Sequence, residues 1–159
     1  APAMVGLGLL LTNAADPTAV CERLKLSNRE TSEVAWLVGS RGELAAAETQ
    51  RRSKLFPVLA HPSRDGLLDV VEAIERTAGA TSPDVAWCRG LLETISDEVL
   101  NPPALVTGDD LKAVGLNPGP LFKTLLDSIR DAQLDRKVCD RDAALALVHE
   151  IRSRYQDDE

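Results

Sequence analysis

Ser27-Asn28-Arg29-Glu30-Thr31-Ser32-Glu33-Val34-Ala35-Trp36-Leu37-Val38 is the stretch from which the fold is read. Ser27 and Glu30 have the spacing of a capping box. The serine oxygen takes a backbone N–H three residues on, and the glutamate reaches back to the N–H of the cap. The helix that opens there puts Val34, Leu37 and Val38 on one face. Gly39 and Gly42 weaken its far end.

The same signals recur on both sides. Upstream, Asp16-Pro17 is a cap followed by proline at the first helical position, predicting a short helix to about Leu24. Ala3 to Leu11 is apolar on all sides and reads as a buried helix. Downstream, a basic, Ala-rich helix is expected from about Glu43 to Ala60, with Pro57 kinking or interrupting it. His61-Pro62-Ser63 makes a turn, with Ser63 capping a helix that carries Leu67, Val71, Ile74 and Ala78 and closes at Gly79. Ser82-Pro83 opens another, striped by Val85, Cys88, Leu92, Ile95 and Val99.

Asn101-Pro102-Pro103 cannot continue a helix and marks a boundary. Beyond it Thr107 caps a very short helix, Gly108 to Val114, which Gly115 ends. Asn117-Pro118-Gly119-Pro120 is a tight turn into a long helix with Phe122, Leu125, Leu126 and Ile129 inward. Asp140 caps the last helix, whose inner face is Ala144, Leu147, Val148, Ile151 and Tyr155, and the tail Asp157-Asp158-Glu159 is expected to fray. The expectation is an all-α chain. It has an elongated helical body over residues 1–100 and a smaller helical tail over 101–159, which contains a helix–turn–helix-like Gly-Pro turn.

Composition agrees. The 159 residues are 44% hydrophobic, 27% charged and 3% aromatic. A core built from Leu and Ala favours helices over sheets. Net charge is −7, with 10 Lys and Arg against 14 Asp and Glu in residues 1–99 and 8 against 11 in residues 100–159. A dedicated nucleic-acid domain usually carries a basic excess, so any RNA contact must come from local patches. Cys21, Cys88 and Cys139 are far apart and odd in number, which supports neither a disulfide framework nor a zinc site and makes a reducing cytoplasm the simplest home. No apolar run approaches the ~18 residues of a membrane span. Ala3 to Leu11 has no basic residue before it, so it reads poorly as a signal peptide. A chain that opens in core material suggests either a fragment with a missing upstream partner or a short N-terminus of its own.

No catalytic or metal-binding set is expected. His61 precedes a proline in a turn and His149 sits beside Glu150, neither near a nucleophile. Asp109-Asp110 follows a Thr cap, where negative charge favours the helix start. Gly6-Leu7-Gly8 lacks the third glycine and preceding strand of a nucleotide loop. Two features suit RNA phosphates. One is Arg51-Arg52-Ser53-Lys54, with Arg41 a few turns earlier. The other is the turn from Gly115 to Pro120, which leads into a helix N-terminus and is flanked by Lys112 and Lys123.

These residues resemble a known family. Leu24-Lys25-Leu26-Ser27-Asn28-Arg29-Glu30 with Val34-Ala35-Trp36-Leu37-Val38 is similar to the segment just after the catalytic half of bacterial tRNA nucleotidyltransferases (CCA-adding enzymes) and poly(A) polymerases. Pro103-Ala104-Leu105-Val106-Thr107-Gly108-Asp109-Asp110-Leu111 and Gly115-Leu116-Asn117-Pro118-Gly119-Pro120 resemble the family's C-terminal Thr-Gly-x-Asp-Leu…Gly-Leu-x-Pro-Gly-Pro signature. The likeness runs from about Leu24 to Arg154, the middle matching only in helical character. It implies a helical body and tail that grip tRNA or RNA 3′ ends while an upstream head, which holds magnesium, adds nucleotides. The expectation is therefore a non-catalytic RNA-positioning piece that needs no cofactor of its own. Its phosphate contacts would be Arg51, Arg52, Lys54, Lys112 and Lys123. The alternative is a helical protein–protein interaction or dimerisation module with no RNA role, using apolar surface near Ala3 to Leu11.

Overall fold

The computed structural model describes residues 2–117 and 119–157, the side chains of Pro2 and of 155–157 excepted. Among the described residues there are ten α-helices and no strand, so the all-α expectation holds. No helix among them is long and apolar enough to cross a membrane. The chain forms two compact units. The first comprises residues 1–50 and 57–96, the second residues 51–56 and 97–159.

The first unit begins with α1 (Pro2–Leu10), α2 (Pro17–Arg23) and α3 (Asn28–Gly39). The Asp16 carboxylate accepts the Ala19 N–H at 3.0 Å, and the Ser27/Glu30 capping box is complete. Lys25, in the left-handed region at φ 57°, turns the chain from α2 into that box. α1 lies against α3 and against α5 (Arg64–Thr77), and α2 lies against α3. Nine residues are too few for a helix to hold itself in water, so packing holds α1. Glycines allow the approach. A Cβ on Gly66 would meet Val5 at 3.2 Å and Leu37 at 3.4 Å, and one on Gly8 would touch Leu37 and Val70 at 3.6 Å. Leu11, Cys21, Val34 and Val38 form a buried cluster with Met4, Leu7, Val20 and Leu26 against it. The helix is not buried all round, as its composition suggested. It sits on the surface of this unit, and Leu10 is 83% exposed.

The expected helix from Glu43 to Ala60 does not form. A 3-10 turn spans Ser40–Leu44, and α4 runs only from Arg52 to Leu59, with Pro57 inside it. Between them Ala46 adopts φ 56°, and the Asp84 carboxylate accepts the N–H groups of Ala46 and Ala47 at 3.1 and 2.9 Å. Those donors are thereby withdrawn from a continuing helix. Asp84 belongs to α6 (Pro83–Thr94), which packs on α5. Ser63 and Ser82 stand at helix starts but make no side-chain cap. Gly79, at φ 73°, follows the end of α5 as expected. Leu67, Val71, Val85 and Cys88 are buried, whereas Ala78 is exposed and Val99 is 40% exposed.

The second unit contains α7 (Asp97–Leu100), α8 (Gly108–Ala113), α9 (Pro120–Leu134) and α10 (Arg141–Asp157). Its core is Val106, Leu111, Leu125, Ile129, Ala132, Val138, Ala144 and Val148. Thr107 and Asp110 form a second capping box, and Gly115 at φ 81° ends the turn after α8. Asp140 caps α10 by accepting the Ala143 N–H at 2.8 Å. Pro118 of the expected tight turn, the inward side chain expected of Tyr155, and Asp158 and Glu159 of the expected frayed tail lie outside the described part.

Candidate nucleic-acid interface

Arg51 sits just before α4 and meets Asp135, the residue after α9. Its Nε donates to Asp135 Oδ2 at 2.8 Å, and the Ser53 N–H donates to Oδ1 at 2.8 Å. One carboxylate from a distant part of the chain thus serves as the cap that α4 lacks locally. Only 8% of the Asp135 side chain is exposed. Burial alone would raise its pKa, but the Ser53 N–H and the Arg51 guanidinium hold it below the ordinary carboxylate value. The Arg51 guanidinium is correspondingly pushed up, chiefly by its hydrogen bonds to Asp135.

The other predicted contacts divide into two kinds. Lys112 is engaged by Asp109 at 2.8 Å. Arg52, Lys54 and Lys123 are exposed and make no ion pair among the described residues. Arg52 lies over the ring of Phe56, 5.6 Å from its centre, an arrangement that orients the guanidinium while leaving its charge available. All five predicted residues belong to the second unit, although the sequence assigned three to the body and two to the tail.

Of the Asp109-Asp110 pair, Asp109 meets Lys112, while Asp110 accepts from the Thr107 N–H and hydroxyl and pairs with Arg141. The Thr107 hydroxyl and N–H, followed by Arg141, bring Asp110 down to about 2. His61 stacks on Trp36 with ring centres 3.6 Å apart, and its Nδ1 accepts the Ser63 N–H at 3.1 Å. His149 is exposed. No group of three metal-ligating side chains occurs among the described residues.

Sequence reasoning missed a cleft of about 450 Å³ in this unit. Arg51, Lys137 and Arg154 stand around it; Ala132, Leu147 and Ile151 supply its apolar lining. Asp131 and Ser128 complete it. Lys137 projects from the loop between α9 and α10, which is fixed by two N–H bonds to the Ala132 carbonyl, from Lys137 at 2.8 Å and Val138 at 3.3 Å. Arg136 takes φ 58° to allow this turn. Arg154 is held by Glu150 at 2.5 Å. One available signal was Arg154 falling three residues beyond Ile151, on the edge of the inner stripe of α10. Lys137 had no local pattern to mark it. Comparison of the chain with protein-family models, with curated proteins and with solved structures finds no match.

Proposed function

We propose that the chain holds RNA, positioning RNA 3′ ends as the body and tail of a template-independent RNA nucleotidyltransferase (CCA-adding or poly(A)-forming) would for a catalytic head. The supporting observation is that Arg51, Arg52, Lys54, Lys112 and Lys123 all fall in one compact unit. That unit carries eleven Lys and Arg against thirteen Asp and Glu, whereas the first carries seven against twelve. Several of its acids are committed to Arg51, Lys112 and Arg141, which leaves Arg52, Lys54 and Lys123 to meet phosphates. Such contacts give affinity without reading sequence, and each strengthens the dependence on salt.

The test is a fluorescence-anisotropy titration of single-stranded RNA across salt concentrations. The triple variant Arg52→Ala, Lys54→Ala, Lys123→Ala should bind more weakly, with a log–log salt slope shallower by about 2, at roughly 0.7 for each lost phosphate contact on a single strand. Unchanged binding removes this patch.

The exposure of Leu10 (83%) and Leu24 (56%) favours a second reading, self-association through the first unit. Concentration-dependent sedimentation without RNA retention would support that reading instead.

A further inference from the structure

The cleft between α9 and α10 has a chemistry that a general phosphate-binding surface does not need. Arg51 is tied to Asp135 and Arg154 to Glu150, so their charges are largely balanced. Lys137 and Asp131 make no ion pair among the described residues, although the Asp131 charge lies near enough to Arg51 to raise its pKa. The cleft therefore offers a cation and a carboxylate that are not tied to each other or to another residue in an ion pair, beside an apolar lining. Arg51 and Arg154 retain N–H donors beyond those their partners use, because a guanidinium has five. A carboxylate at neutral pH only accepts hydrogen bonds.

The geometry points to a single nucleotide of an RNA strand as the occupant. Its phosphate meets Lys137 with the spare donors of the two arginines. Its base covers Ala132, Leu147 and Ile151, and an exocyclic amino group donates to Asp131. Adenine, cytosine and guanine carry that amino group; uracil does not. This inference rests on the RNA-holding reading and adds base preference to it. It also limits the electrostatics of the cleft to about one phosphate.

The test uses the whole chain and labelled oligo(A), oligo(C) and oligo(U) of equal length. The wild type should bind oligo(A) and oligo(C) several-fold more tightly than oligo(U). Lys137→Met should weaken all three and reduce the salt slope by about 0.7. Asp131→Ala should abolish the discrimination and not weaken oligo(U). Circular dichroism of both variants confirms that they fold. RNA binding that discriminates against no base, or that ignores Lys137→Met, overturns the inference and leaves the RNA-holding reading standing. If the chain binds no RNA, the broader reading fails, and cytidine and uridine monophosphate titrations followed by NMR still decide about the cleft. Shifts at Leu147 and Ile151 larger for the cytidine nucleotide support it. Equal shifts for both, none, or shifts matched by inorganic phosphate overturn it.

Discussion

In the first unit two glycines let helices pack through apolar side chains: Gly66 admits Val5 and Leu37, and Gly8 admits Leu37 and Val70. Its carboxylate Asp84 braces a loop between helices. In the second unit carboxylates and arginines tie elements that are remote in sequence. Asp135 joins the end of α9 to the start of α4, Asp110 joins α8 to the start of α10 through Arg141, and Arg130 of α9 donates to the Pro102 carbonyl at 2.7 Å and to Asn101. Interdigitated apolar contacts carry no titratable charge and are not weakened by ionic screening; ionic clamps do and are. The difference teaches that the second unit leans on charged ties at helix ends, whereas the first sets an exposed pairing of Arg89 with Asp69 and Glu72 beside its apolar packing.

The largest effect expected is from Leu37→Ala, which empties a fully buried site touched by α1 and α5. It should cost about 2–5 kcal/mol in urea unfolding followed by tryptophan fluorescence, since Trp36 and Trp87 both lie in the first unit. A loss below about 1 kcal/mol would break the claim that interlocked side chains hold this unit. Next, Asp135→Ala leaves the Ser53 N–H without its acceptor and should cost about 1–3 kcal/mol, read from the far-ultraviolet helical signal. Thr107→Ala removes one cap and should cost about 1 kcal/mol by the same measurement.

Acid gives the finest separation. Asp110 and Asp135 have folded-state pKa values below their ordinary ones, so the stability they contribute is present above the ordinary carboxylate range. It is lost as pH falls through the folded values, about 2 for Asp110. Between about pH 4 and pH 2 helical signal should therefore decline before tryptophan fluorescence changes. Coincident transitions would erase the contrast between the units.

The legible parts of the fold are those whose causes are local. The Ser27/Glu30 box, the caps Thr107, Asp16 and Asp140, and the glycines after α5 and α8 act within a few residues, and the residues named for them are the ones that serve; that Asp110 completes a box with Thr107 went unread. The helix expected from Glu43 failed because Asp84, nearly forty residues downstream, captures two of its N–H groups. Ser63 looked like a cap, but its own N–H is bound by His61 and its φ and ψ, −95° and 16°, are not those of an extended cap. The candidate site was half legible. Arg52, Lys54 and Lys123 are exposed, and the partner of Arg51 lies 84 residues away. Lys137 and Arg154 meet across two helices and a loop, and sequence spacing does not encode that juxtaposition.

The three thiols are unequal in a way an experimenter can exploit. Cys21 and Cys88 are sealed, and burial, aided by Asp84, keeps Cys88 protonated up to about 11. Cys139 is open to solvent two residues beyond Lys137. A maleimide dye should therefore attach to the native chain at one position, two residues from Lys137, giving an optical label without any engineered cysteine.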